Sequence, residues 1–386
     1  MLDIFLALIL ATFLLQALIP NNTRRIDTNH QLAETKIAAQ NITKTCAQTD
    51  REKCYVGQFT SITRSKGLEF AQKTLYDAQD IDPKLRDCHV LSHKISDAAT
   101  QQHPEAWRDL IERADIETCG GGFLHGVIET HIGYDPKFTL NRETIADICN
   151  QGKRDYKERS CSHIMGHLLL VDANAKVDPA LSICNQIVDP TMNRECATGV
   201  FMEDSFKTIL ADHGLAQIPV RDKARMDRQT SRCLNYQGLA GEGCWVDLAE
   251  IFAEFYNFDP PKVYESCYSA PTKSEAQQCY MKAVILMADS ANFDSSSNLL
   301  AECTPYTSDT LLYKQCTDFI VSSLMHYSPK FTNRGVALCS NIGAEFQEYC
   351  FRDLGQQLKV TTPALSDRQE LCTGTPEKYL NLCAQS

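Results

Sequence analysis

Short apolar segments alternate with polar turns along most of the chain. The stretch DPALSICNQIVDPTMNRECATGVFMEDSF, residues 178–206, begins with an aspartate–proline pair that is typical of a helix start. A turn with Pro190 follows, and Asn193 then leads into a second apolar segment. Residues 259–289 have the same layout, with Pro271 in the turn. The pattern predicts an all-α protein that is built from pairs of helices joined by short turns.

One apolar segment differs from the others in length and position. Residues 4–19, IFLALILATFLLQALI, are interrupted only by Thr12 and Gln16. The segment is slightly short for a helix that spans a membrane and slightly long for the core of a signal peptide. We therefore expect residues 1–20 to be a signal peptide or a signal anchor, followed by a linker at residues 21–45. The rest of the chain would then lie in the periplasm or outside the cell, tethered to the membrane if the segment is not cleaved.

Cysteine usage supports export. The chain has 18 cysteines among 386 residues, and no two of them are closer than Cys46 and Cys54. This spacing excludes C-x-x-C motifs, and with them the thioredoxin-type redox site, the zinc-ribbon knuckle and the haem-attachment site of c-type cytochromes. So many cysteines are best explained by disulfide bonds in an oxidising compartment.

Most of the cysteines recur as evenly spaced pairs. In seven pairs, ten to twelve residues separate the two members, and the first members follow one another at 33 to 36 residues, apart from one interval of 49. We expect the first cysteine near the end of one helix and the second in the first turn of the next, with a disulfide between them. The pairs are Cys149 and Cys161, Cys184 and Cys196, Cys233 and Cys244, Cys267 and Cys279, Cys303 and Cys316, Cys339 and Cys350, and Cys372 and Cys383.

Four cysteines near the N-terminus fall outside this series. Cys46 and Cys54 form a closer pair. Cys88 and Cys119 each stand at the start of a predicted helix, and neither has a partner in the preceding helix. The simplest solution joins them to each other, although spacing alone leaves the connectivity open.

The repeat resembles a known architecture. Two helices per unit, a period near 36 residues and a disulfide across each pair are similar to the cysteine-rich Sel1-like and tetratricopeptide α/α-repeat proteins. The resemblance covers most of residues 46–386 and implies an α-solenoid of disulfide-linked hairpins, whose concave surface would hold a protein or peptide. We expect N-terminal repeats at residues 46–204, an insertion loop at residues 205–232 that explains the interval of 49, and C-terminal repeats at residues 233–386.

The charge distribution argues against one class of partner. The chain has 38 basic and 49 acidic residues, a net charge of −11, and its basic residues are dispersed. Binding to nucleic acid requires a basic surface that neutralises phosphates. We therefore expect no nucleic-acid partner.

Histidines are concentrated in one part of the chain. Seven of the ten lie between His89 and His167. When the units are aligned on their second cysteine, the sixth following position holds His125, His167 and Met202 in successive units, and His93 lies one residue earlier in its own unit. Stacked repeats bring equivalent positions side by side. We therefore expect these side chains to form a row on one surface.

Each of these helices carries a second polar group one turn away, because residues four apart share a helix face. Pairs of imidazoles at that spacing bind zinc, copper or nickel, and a nearby thioether favours copper. The sequence therefore predicts a binding protein with a copper or zinc site. Its candidate ligands are His89, His93, His125, Glu129, His163, His167, Met202 and Glu203.

The sequence also leaves three different roles open for the histidines. They could cap helix starts or bond to neighbouring carbonyl groups, but the C-terminal units would then need histidine at the same position. The sixth position there holds Glu250, Ile285, Ser322 and Gln356. They could line the groove of a protein- or peptide-binding scaffold without metal. A metal-dependent hydrolase is the third hypothesis, with Glu129 or Glu203 as the general base.

Overall fold

The described part of the chain is all-helical in the computed structural model, which confirms the predicted all-α class. Every regular element there is a helix, and none of these helices is long and apolar enough to cross a membrane. The apolar segment at residues 4–19 lies outside the described residues. These are 22–47, 51–82, 85, 88–114, 118–134, 140–149, 155–212, 216–217, 219–290, 296–301, 303–304, 307–308, 310–327, 332–362 and 364–385.

The chain divides into two compact units, Met1–Arg86 and Asp87–Ser386. The first unit contains three helices that pack on one another, and the disulfide Cys46–Cys54 joins the first helix to the second. These helices are α1 (Asn22–Cys46), α2 (Arg51–Lys66) and α3 (Leu68–Ile81).

Residues 21–45, predicted as a linker, lie almost entirely within α1. Thr35, Ala39 and Ile42 are almost fully buried. They recur at three or four residues and so lie on one helix face, which α1 packs against α3.

The second unit begins with three helices and two short 3₁₀ turns. The disulfide Cys88–Cys119 ties the start of the first helix to the turn before the third, which is the pairing predicted for these cysteines. The elements are α4 (His89–Gln102), a turn at Pro104–Ala106, α5 (Trp107–Arg113), a turn at Thr118–Gly121 and α6 (Gly122–Tyr134).

Seven helical hairpins make up the rest of the second unit, and a disulfide closes each of them in the predicted pairing. The first two hairpins are α7 (Arg142–Cys149) with α8 (Asp155–Asp172) and α9 (Val177–Cys184) with α10 (Pro190–Phe206), and the short helix α11 (Thr208–Asp212) follows them. The next four are α12 (Lys223–Cys233) with α13 (Gly238–Phe255), α14 (Pro260–Cys267) with α15 (Lys273–Ser290), α16 (Ser296–Ala301) with α17 (Thr310–Tyr327), and α18 (Thr332–Asn341) with α19 (Ala344–Thr361). The last is α20 (Leu365–Leu371) with α21 (Leu380–Gln385), and a 3₁₀ turn at Glu377–Tyr379 precedes α21.

In all hairpins but the last, the second cysteine is the seventh residue of its helix and so lies in the second helical turn, not in the first as the sequence suggested. In α10 the reason is the position of Pro190, which was expected in the turn and instead begins the helix. Proline fits the first helical position, where its missing N–H is not needed. The Asp189 carboxylate caps this start by accepting from the N–H groups of Thr191 and Met192, both at 2.9 Å.

The range 205–232, predicted as an insertion loop, is helical in α11 and α12. The Asp222 carboxylate caps α12 by accepting from the N–H of Arg225 at 2.7 Å. α12 is the first helix of its hairpin, so the extra residues within the interval of 49 precede it. The short helix α11 lies among these extra residues, where the sequence predicted a loop.

The long second helices of successive hairpins pack on one another from α8 through α21. Their fully buried side chains include Ile164, Phe201 and Trp245. One contact does not follow chain order, because α17 packs against the turn at Thr118–Gly121. Packing of successive hairpins fits the solenoid implied by the resemblance. The contact of α17 with the turn does not, because each repeat of a solenoid contacts only the adjacent repeats. The solenoid itself stays a prediction.

Candidate metal centre

Glycines bring the backbones of α4 and α6 together beneath the histidines. A Cβ atom on Gly122 would lie 2.5 Å from the carbonyl oxygen of His89, and one on Gly126 would lie 2.5 Å from that of His93. Any larger residue would therefore separate the two helices. This close approach places the His125 ring, on α6, against both rings of α4, with centroid separations of 5.0 and 5.1 Å.

His89, His93 and His125 form the three-histidine cluster. Each offers a ring nitrogen, and the three nitrogens lie within 4.8 Å of one another. The Nε2 atoms of His89 and His93 are 3.1 Å apart. His125 is buried, whereas the other two rings are partly accessible. The cluster fits a metal ion that is bound by imidazole nitrogens.

The other nitrogens of His89 and His93 face hydrogen-bond acceptors. His89 Nδ1 is 3.0 Å from the carbonyl oxygen of Cys119, and His93 Nδ1 is 3.2 Å from a carboxylate oxygen of Glu129. Both acceptors require a hydrogen on Nδ1, so in each neutral ring Nε2 carries a lone pair and no hydrogen. The two lone pairs that a metal ion needs therefore converge on the same space.

Electrostatics favour this ligand-ready state. Burial lowers the pKa of His89 well below its ordinary value, and the neighbouring His93 and His125 add to the effect. Burial also lowers the pKa of His125 to about 4, although its contact with Glu129 partly opposes this. Burial alone would raise the pKa of Glu129, but His93 and His125 lower it overall. At neutral pH the His89 and His125 rings are therefore uncharged beside an ionised carboxylate.

A second histidine pair lies next to the cluster. On α8, the Nε2 atoms of His163 and His167 are 3.1 Å apart. The ring centroids of these two residues are 5.9 and 5.8 Å from that of His125. His167 Nδ1 is 3.2 Å from a carboxylate oxygen of Glu203, whose other oxygen accepts from the N–H of Leu210 at 2.7 Å. Burial and the neighbouring His167 lower the pKa of His163 well below its ordinary value.

The described contacts thus bring seven of the eight candidate ligands into one group. Met202 is the exception: it is half-buried, and no described contact joins its sulfur to the histidines. His131 stacks on Trp107 with centroids 4.0 Å apart, and the side chain of His103 is 66% exposed. Sequence reasoning missed the Cys119 carbonyl and the Leu210 N–H. No residue pattern identifies them, because every residue offers the same backbone groups.

The fold and the site together define a class of protein. The chain is a disulfide-rich helical protein with a three-histidine cluster that fits a metal ion. Neither a family model, nor a curated protein, nor a solved structure matches it.

Proposed function

We propose that this chain is an exported protein that binds one transition-metal ion, copper or zinc, through the three-histidine cluster. The observation that carries the proposal is the pair of Nε2 atoms, of His89 and His93, at 3.1 Å. Both rings use Nδ1 as the donor, to Cys119 and Glu129. Neutral rings therefore have no hydrogen to place between the two Nε2 atoms.

Two arrangements remove the repulsion between these lone pairs. One imidazole could bind a second proton; burial and the neighbouring rings oppose that charge on His89, whereas on His93 it would lie beside the Glu129 carboxylate. A metal ion between the rings resolves the repulsion without that proton. Two nitrogen ligands about 2.0–2.1 Å from one tetrahedral zinc ion lie about 3.3 Å apart, which is close to the 3.1 Å between these atoms.

The donor set favours zinc or copper, because neutral imidazoles suit both ions. His125 is the third ligand, and three protein ligands leave one coordination position for water or another small molecule. Glu129 lies behind His93, where a carboxylate fixes the tautomer and the orientation of a ligating ring. Glu129 and Glu203 each contact an imidazole. These contacts support a role in orienting the rings rather than a role as general base, and so they favour a binding protein over a hydrolase.

The cysteines and the apolar N-terminal segment support the proposed location. Nine disulfides and the absence of free cysteines among the described residues are typical of proteins in oxidising compartments. A periplasmic or extracellular protein, with or without a membrane tether, would meet this condition. The solenoid architecture and a protein or peptide partner on its surface remain part of the same proposal, as the resemblance to α/α-repeat proteins implies.

Elemental analysis of the intact, oxidised chain without a polyhistidine tag tests the proposal. We expect the wild type to bind stoichiometric zinc or copper, and the double variant H89A/H93A to bind one ion fewer. The control is H103A, because His103 is exposed and lies outside the cluster. Unchanged metal content in H89A/H93A, with native circular dichroism, would sink the proposal.

A matched pair of carboxylate variants tests the orienting role of Glu129. E129Q should weaken the affinity for the ion about 10- to 100-fold, as loss of an orienting carboxylate does at other metal sites. The control is E105Q, because Glu105 is 79% exposed and lies beside His103, outside the cluster. Competition with a chromophoric chelator measures both affinities. Equal affinities of the two variants would show that Glu129 does not support the ligands.

A further inference from the structure

The contacts of the His163/His167 pair repeat those of His89 and His93. In each pair the Nε2 atoms are 3.1 Å apart. In each pair the second histidine places Nδ1 3.2 Å from a carboxylate oxygen, which belongs to Glu129 or Glu203. The molecule therefore contains the same arrangement of two imidazoles and one carboxylate twice.

The repeat explains why the arrangement recurs. Glu129 follows His93 by 36 residues, and Glu203 follows His167 by 36 residues. That separation is close to the period of the cysteine pairs. In both cases the carboxylate comes from the long helix that follows the histidine helix and packs on it. The geometry that orients His93 therefore orients His167 as well.

One difference separates the two arrangements. The third histidine, His125, lies 36 residues after His89, whereas the corresponding position after His163 is Gly199. A Cβ atom on Gly199 would lie 1.9 Å from the carbonyl oxygen of His163, so no side chain fits there. The second arrangement therefore offers two imidazoles of its own, and the His125 ring lies close to both.

A second difference concerns the hydrogen atoms. No described contact fixes the tautomer of His163, whereas the Cys119 carbonyl fixes that of His89. A neutral His163 can therefore donate from Nε2 to His167, and an ion must displace this hydrogen bond. The second arrangement should bind an ion more weakly than the first, because it has fewer fixed ligands and loses a hydrogen bond.

We propose that His163 and His167 form a second transition-metal position beside the first, with weaker affinity and with free coordination sites for water. The second position uses histidines other than those of the three-histidine cluster, so the two proposals can fail separately.

Titration of the intact, metal-free chain with Cu²⁺, followed by competition assays and electron paramagnetic resonance, tests the second position. We expect two ions per wild-type chain, one tight and one weaker, with dipolar broadening because the two positions are neighbours. H163A/H167A should keep only the tight ion, and H89A/H93A only the weaker one. H103A should keep both, because His103 is exposed and lies outside both sets.

Glu203 provides a variant that keeps both histidines. E203Q retains an acceptor for the Leu210 N–H, so it should fold, and it should weaken only the second affinity by about tenfold or more. E129Q should weaken only the first. One ion per wild-type chain, with the same affinity in H163A/H167A, would overturn the second position and leave the first intact. No ion bound to the wild type would overturn both proposals.

Discussion

At the scale of single residues, the groups behind each imidazole matter as much as the imidazole. A ring that donates from Nδ1 to a fixed acceptor presents a lone pair on Nε2 in a fixed direction. Glu129 and the Cys119 carbonyl serve His93 and His89 in this way. The carboxylates could be predicted from sequence because few residue types carry that chemistry, whereas the carbonyl could not be.

Asp247 is a second residue whose surroundings change its chemistry. It lies buried on α13, where one oxygen accepts from the Ser205 hydroxyl at 2.5 Å. Burial raises the pKa of its carboxyl from 3.8 to about 8, and the nearby Glu250 and Asp204 contribute in the same direction. The Ser205 hydrogen bond and Arg225 offset only part of this shift. Asp247 is therefore protonated in the folded protein at neutral pH.

This proton makes stability depend on pH with a definite sign. Above about pH 4 the unfolded chain has released the proton and the folded chain retains it, so raising the pH to about 8 destabilises the folded state. We expect D247N to remove this part of the pH dependence. Unfolding by denaturant from about pH 5 to about pH 9 measures it, with the exposed D227N as the control. Parallel pH profiles of the wild type and D247N would contradict a raised pKa.

At the scale of helices, close packing decides which side chains meet. Gly166 on α8 and Gly199 on α10 lie against the partner helix. Added Cβ atoms would lie 2.0 Å from the Cys196 carbonyl oxygen and 1.9 Å from that of His163. The two helices therefore approach at backbone contact, which brings Glu203 within reach of His167. The sequence predicted both helices, but not that glycines would set their separation.

Replacement of Gly199 tests this dependence. G199A should lower the free energy of unfolding by about 1–3 kcal/mol, as overpacking typically does, because the new methyl group has no space. The control is G57A in α2, since Gly57 is exposed and a Cβ there meets nothing within 4 Å. G57A should instead raise the free energy of unfolding by about 0.5–1 kcal/mol, because alanine reduces the conformational entropy of the unfolded chain. Denaturant unfolding measures both, and equal effects would show that the helices can separate freely.

At the scale of the whole molecule, a disulfide and packing between distant parts of the chain both stabilise the turn beside the three-histidine cluster. The Cys88–Cys119 disulfide precedes His89 directly, and it fixes the turn whose carbonyl orients that ring. α17, from the C-terminal part of the chain, packs against the same turn. Helix α17 therefore supports the turn beside the three-histidine cluster, although its hairpin does not repeat these histidines.

Removal of single disulfides separates stability from metal binding. C88S/C119S and C339S/C350S should each destabilise the protein by about 2–5 kcal/mol. Only C88S/C119S should also weaken metal affinity, by about tenfold or more, because His89 loses its fixed acceptor. C339S/C350S is the control because its disulfide closes a C-terminal hairpin, α18 with α19. Metal affinity that is equal in the two variants would contradict a role of the Cys119 turn in binding.

The sequence by itself determined the all-helical class, the disulfides of the seven evenly spaced cysteine pairs and the set of candidate ligands, but not the helices α1 and α11 or the connectivity of Cys88 and Cys119. Helical patterns and the spacing within a cysteine pair depend on residues that are near one another in the chain, so they can be recognised without knowledge of the fold. The tertiary structure alone decided which nitrogens meet, that the Cys119 carbonyl orients His89, and that α17 reaches the turn beside the site. These features depend on how closely helices approach, which the volumes of packed side chains set across distant parts of the chain.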